Sequence, residues 1–156
     1  MRQGLAARRA LGAELWWTYY LALLAEASGK ARQGEEGLSL LTETLTTVEK
    51  TGERFYEAEL YRLQGELTLQ QSSVQGLGSS VQKEAKAYFH KAIDIAHRQQ
   101  AKSLELRAVM SLSRLWQQQG KKEEAHRMLA EIYGWFTEGF DTKDLQEAKA
   151  LLEELN

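Results

Sequence analysis

Between Val109 and Ile132 the apolar and small side chains fall into two runs, Val109, Leu112, Ser113 and Trp116, then Ala125, Leu129 and Ile132. Spacings of three and four put each run on one face of a helix. The pattern predicts two helices joined at Gly120, where a residue without Cβ can turn left-handed. The same alternation occurs twice upstream. "LALLAEASGKARQGEEGLSLLTETL" carries small Ala25, then Gly37, Leu41 and Thr44. "LYRLQGELTL" carries small Gly65, and "KEAKAYFHKAIDIA" carries Ala85, Phe89 and Ala92. A small residue in each first helix would let the second helix approach closely, because side-chain size at the crossing sets the interaxial distance.

The spacing is that of an internal repeat. Ala25 to Gly65, Ala85 to Ala125, Phe89 to Leu129 and Ala92 to Ile132 are each 40 residues apart. Gly37 to Ala85 and Gly65 to Ser113 are each 48 apart, and both intervals cross "QSSVQGLGSSVQ". One insertion of eight residues there, read as a flexible segment including Ser72 to Val81, restores a common period. The expected organisation is a single array: helix pairs over 13–52, 53–101 and 102–138, with Gly52 turning from the first unit to the second. Stepping back 40 residues from Thr44 reaches Gly4, so 1–12 reads as the orphan second helix of a truncated repeat, either cut from a longer protein or left after loss of upstream domains. Such an end would expose an apolar face and favour a homo-oligomer.

At the other end, Asp141 or Thr142 would cap a helix from about Lys143 to Leu155 within 141–156. Leu145, Ala148, Leu151 and Leu152 form its apolar stripe, with Glu147, Lys149, Glu153 and Glu154 on the wet side. A terminal unit with one polar face is what a repeat array needs. Tyr133, Trp135, Phe136 and Phe140 are expected to pack beneath it, a structural role that competes with a ligand pocket.

Composition agrees with an all-α chain. Among 156 residues there is no proline to interrupt helices. A formal charge of -2 supplies no basic field for nucleic acid. No apolar run is long enough to span a bilayer. Cysteine is absent, which removes disulfides and thiolate chemistry and fits a cytoplasmic location.

The string "EAKAYFHKAIDIA" resembles the second helix of the tetratricopeptide repeat family, whose helix pairs stack into a right-handed α-α superhelix. The period near 40 exceeds that family's usual period of about 34, and the terminal proline of each repeat is missing. Both departures suit a longer-helix variant found in bacterial signalling proteins, with a HEAT-like array as the structural alternative. "ELYRLQGELTL", "AKSLELRAVMSLSRLWQQQGKKEEAH" and "IYGWFTEGFDTKDLQEAKALLEEL" are similar to the carboxyl-terminal repeat region of bacterial proteins that join a class III adenylate/guanylate cyclase, or another signalling module, to an AAA-type ATPase. That resemblance implies a regulatory or partner-binding segment and brings no catalytic motif with it.

The candidate chemistry is sparse. His90 and His97 lie seven residues apart, whereas chelation from one helix favours three or four. Gly76 and Gly78 lack the strand-loop-helix setting and the "GxxxxGK[ST]" pattern of a phosphate cradle. No nucleophile–base set, metal site or cofactor site is assigned. In stacked helix pairs the first helices line the concave side, where partners bind. Counted from Ala25, Gly65 and Ser113, that face comprises Tyr19, Glu26, Lys30, Glu59, Arg62, Glu66, Arg107, Met110, Arg114, Gln117 and Gln118. Arg107 and Arg114 either engage an acidic partner or pair with Glu59 and Glu66 on the neighbouring helix. The expected function is a non-enzymatic protein–protein interaction module whose partner is a protein, a peptide or the upstream domains of a longer chain. The alternative is a small-molecule effector sensor, with its pocket near Trp16, Trp17, Tyr19 and Tyr20 or near the carboxyl-terminal aromatics.

Overall fold

The computed structural model describes residues 17–30, 33–75 and 78–156. The orphan helix expected over 1–12, the self-association expected through it, and Trp16 lie outside these residues. The described residues form seven helices and no strand: α1 (Trp17–Lys30), α2 (Gly34–Thr51), α3 (Glu57–Gln75), α4 (Ser79–Arg98), α5 (Lys102–Gln118), α6 (Lys122–Tyr133) and α7 (Lys143–Leu155). Each helix packs against the next in sequence. The odd-numbered helices also touch one another in order, α1 on α3, α3 on α5 and α5 on α7.

The interior follows this order as a chain of linked clusters. Ala22, Ala25, Leu41, Val48, Leu60, Leu63 and Leu67 join α1, α2 and α3. Ala58, Tyr61, Ala92, Ile95, Ala96 and Ala108 join α3, α4 and the start of α5. Ala85, Phe89, Leu112 and Leu115 fill the α4–α5 contact, and a larger cluster from Leu106 to Leu155 holds α5, α6 and α7 together. Leu45, Ile93, Trp116 and Met128 each border two or more clusters and make the core continuous. A helix pair in this arrangement buries its apolar faces against its neighbours as well as within itself.

The three small residues occupy corresponding places. Ala25 is fully buried, and its carbonyl oxygen lies 3.3 Å from where a Cβ on Gly37 of α2 would stand. A Cβ on Gly65 would stand 2.6 Å from Cε1 and 2.9 Å from Cδ1 of Phe89 on α4. Ser113, also fully buried, donates its hydroxyl to the Ala125 carbonyl of α6 at 3.4 Å. In all three hairpins the small residue lies directly against the second helix, where a larger side chain would hold the helices apart.

The turns divide into relaxed and strained ones. Gly52 and Gly120 stand at the turns the sequence predicts and hold left-handed φ values of 73° and 77°, the conformation expected at Gly120. The α4–α5 turn has the same geometry with a side chain in place: Gln100 sits at φ 55°, while Ala101 N–H closes back on the Ala96 carbonyl at 2.9 Å. This 6→1 bond is the closure usually built on glycine.

Three expectations need correction. "QSSVQGLGSSVQ" is not a flexible insertion along most of its length, since α3 runs to Gln75 and α4 begins at Ser79, giving helices of 19 and 20 residues. With no proline present, extending two helices already packed side by side adds hydrogen bonds without a new nucleation cost. The aromatic segment is only partly covered. Tyr133 and Phe136 pack against the α5–α6–α7 cluster, but Trp135 and Phe140 are 58% and 47% exposed. They lie in the 134–142 corner before α7, where the chain reverses and only some side chains can face inward. Thr142 stands at the amino-terminal boundary of α7, yet its hydroxyl donates to the Gly139 carbonyl at 2.7 Å rather than capping the helix.

Gly65→Ala should lower stability by about 1–2 kcal/mol in urea unfolding. The ~1 kcal/mol that alanine ordinarily adds to a helix interior is outweighed by overpacking against the rigid, fully buried Phe89 ring; an unchanged or higher midpoint would contradict the packing described. Gln100→Gly should instead raise stability by up to about 1 kcal/mol, as relief of left-handed strain exceeds the loss of its exposed side-chain bond to the His97 carbonyl. Calorimetry checks the sign, and a lower melting temperature would refute it.

Candidate functional site: a charged cleft on the odd-numbered helices

The polar centre of the molecule starts on α3, where Glu59, Arg62 and Glu66 are spaced three and four apart and therefore share one face. Glu59 and Arg62 are 2% and 6% exposed. Arg62 donates twice to Glu59, Nε to Oε2 at 2.9 Å and Nη2 to Oε1 at 2.6 Å, the forked geometry of a strong guanidinium–carboxylate pair. Its Nη1 donates to Glu66 Oε1 on the next turn. Burial works against the Arg62 charge, but bonds to Glu59 and Glu66 outweigh it and raise the guanidinium pKa further.

Helix α5 completes this floor. Arg107 places Nη2 2.9 Å from Glu59 Oε1, so one buried carboxylate serves arginines from two helices. Ser111, one turn along α5, donates its hydroxyl to Glu66 at 2.8 Å. These bonds tie α3 to α5 across the inter-unit contact. Isolating a buried charge is costly, so each member is held by the others.

Above the floor lies an open cleft of about 170 Å³, lined by Glu26 of α1, Arg62 and Glu66 of α3, Arg107, Met110 and Arg114 of α5, and Lys143, Asp144 and Glu147 of α7. Its rim is bonded more loosely than its floor. Arg107 Nε is 3.9 Å from Asp144, Arg114 Nη2 is 3.5 Å from Glu147, and Lys143 Nζ is 3.5 Å from the same carboxylate. Glu26 pairs with Lys30 at 2.9 Å. Burial pushes the Glu26 carboxyl up, while Lys30, Arg107 and Arg62 together hold its pKa below the ordinary value. Nearby, burial and Glu59 raise the Tyr56 phenol despite the opposing effect of Arg107.

The structure thus brings together Glu26, Glu59, Arg62, Glu66, Arg107, Met110 and Arg114 from the candidate face, with Glu59 beneath the cleft rather than lining it. Tyr19 packs edge-on against Tyr20 and Tyr56 instead. Lys30 is exposed beyond Glu26, while Gln117 and Gln118 lie past the cleft near the end of α5. Arg107 pairs with Glu59, one of the two neighbours expected, but Arg114 reaches Glu147 of α7 and not Glu66. Glu66 is already engaged by Arg62 and Ser111.

Sequence reasoning missed Ser111, Lys143, Asp144 and Glu147. One signal was available for Glu147, which lies one 40-residue period beyond Arg107. The histidines are dispersed: His97 Nδ1 lies 3.0 Å from Glu105 Oε1, and His90 stands near the Trp116 ring. Among the described residues no group of three His, Cys, Asp or Glu is placed to hold a metal ion, and no helix is long and apolar enough to cross a membrane. No family model matches the chain, and no curated protein matches it.

Glu59→Ala should cost about 3–5 kcal/mol, because it leaves Arg62 charged and buried without its forked partner. The pair Glu59→Leu with Arg62→Met should cost much less than the sum of the single changes. Chemical denaturation of the four proteins of this cycle measures the coupling, and a value near zero would refute the cooperative floor.

Proposed function

We propose that this chain is a non-enzymatic helical-repeat module that binds a protein or peptide partner in the cleft on its odd-numbered helices. In this reading the hairpins stack in the manner of tetratricopeptide repeats, as a right-handed superhelix with α7 as its cap. The observation that carries the reading is the convergence of charged side chains from α1, α3, α5 and α7 on one cleft, above a buried and mutually bonded floor. A rigid base with loosely paired charges at its edge suits recognition, since the floor limits reorganisation while rim charges set specificity and encounter rate.

The sequence resemblance supplies the context: the module serves as the regulatory carboxyl-terminal segment of a bacterial signalling ATPase or nucleotide cyclase, and the upstream domains of such a protein are candidate partners. Cleft size favours a macromolecular ligand over an effector. Its volume of about 170 Å³ is below the roughly 300–1,000 Å³ of typical small-molecule sites, and its lining is mainly charged. Side chains reaching in from a partner fit such a shallow polar space.

The test is affinity capture with the chain as bait beside Arg114→Glu, a change at a half-exposed position whose only described ion pair is long. A protein retained by the parent in low salt and lost with Arg114→Glu, at equal melting temperature, is the expected result. Equal retention by both baits, or no retained protein, would refute cleft binding, and ATP or cyclase turnover by the purified chain would refute the non-enzymatic assignment.

A further inference from the structure

The cleft differs from an open receptor face in one respect: α7 already supplies it with acidic groups. Asp144 and Glu147 stand opposite Arg107 and Arg114, with Lys143 also on Glu147. These contacts are 3.5–3.9 Å long, whereas the floor bonds from Arg62 and Arg107 to Glu59 are 2.6–2.9 Å. Charge-assisted bonds of full strength lie near 2.7–2.9 Å. The rim carboxylates therefore neutralise the arginines without using most of their donors. Helix α7 itself is firmly seated through Leu145, Ala148, Leu151 and Leu155. What can move is the side chains of Asp144 and Glu147, by rotation toward solvent, with the helix in place.

We propose that Asp144 and Glu147 act as a built-in competitor, occupying the Arg107–Arg114 rim in the place of an acidic segment of the partner and setting the threshold for its binding. This inference rests on the partner-binding reading of the cleft and adds its regulation. An incoming carboxylate exchanges a long intramolecular contact for a shorter one on Arg114, and the displaced Glu147 keeps Lys143 as its counter-charge. Arg107 retains Glu59 throughout, so the floor is undisturbed. The competitor raises the charge density a ligand must carry: a single carboxylate gains little over Glu147, whereas a run of them engages Arg114 and the Arg107 Nε that faces Asp144 together.

The test uses a fluorescein-labelled hexaglutamate peptide and anisotropy titration at low and physiological salt. The parent chain should bind it weakly. Asp144→Asn with Glu147→Gln should tighten binding by about threefold to tenfold, the effect of removing weak exposed pairs. Glu153→Gln with Glu154→Gln makes the same change in net charge at exposed positions of α7 that do not line the cleft and should alter affinity by less than about twofold. Adding Arg114→Gln to the rim variant should abolish the gain. Melting temperatures of all variants identify any loss of folding, and a rim variant that unfolds is replaced by Glu147→Gln alone, which is expected to show about half the gain on a logarithmic scale. Equal tightening by the rim and control variants, a gain that survives Arg114→Gln, or no binding by any variant would overturn the inference. If Arg114-dependent protein capture persists in any of those cases, the partner-binding function stands and only the competitor role falls; if capture fails as well, both fall.

Discussion

The close approach of paired helices at one small residue per hairpin is the contact on which everything else in this molecule depends. Ala25, Gly65 and Ser113 have little in common chemically, but each is small enough to bring the helix axes together. Gly65 shows the constraint most clearly, because the Phe89 ring occupies the space of its absent side chain. That contact seats Phe89, which joins Ala85, Leu112 and Leu115 in the core between α4 and α5. Local sequence thereby sets hairpin geometry, and hairpin geometry sets how one unit meets the next.

Because the odd-numbered helices touch in succession, their outward side chains form a second layer of interaction of an electrostatic kind. Glu59 and Arg62 are charges in a place where apolar residues would serve stability at least as well. Their forked pairing lies within α3, and the bonds from Arg107 to Glu59 and from Ser111 to Glu66 give the α3–α5 contact a directionality that aliphatic packing lacks. Apolar surfaces slide at small cost, whereas a directed bond to a carboxylate does not. The Arg107–Glu59 and Ser111–Glu66 bonds consequently favour one lateral register of α3 on α5.

Helix α7 has two roles that pull on different faces. Its leucines close the end of the core, and its first turns complete the cleft with Lys143, Asp144 and Glu147. A helix placed only to shield apolar surface would need no particular charges on the side that meets α5. Their position makes one helix part of both the core and the cleft.

Local pattern alone determined the all-helical class, the small residues at the hairpin crossings, the turns at Gly52 and Gly120, and the stripe of Leu145, Ala148 and Leu151, to which the structure adds buried Leu155 where the sequence pattern points to Leu152. All of these follow from local spacing and backbone sterics, which operate over a few residues. The face that carries the cleft was legible too, since Glu59, Arg62, Arg107 and Arg114 recur at fixed offsets from small residues. Tertiary structure decided the pairing. The sequence offered Arg114 only Glu59 and Glu66 on the neighbouring helix, and the outcome turns on Arg62 and Ser111 engaging Glu66 while α7 brings Glu147 alongside. It also decided that the eight extra residues lengthen a hairpin instead of looping out, and that Trp135 and Phe140 face solvent. Ion pairing depends on distances between residues far apart in the chain, and helix extension depends on whether a neighbour is there to pack against; neither quantity is contained in a local pattern.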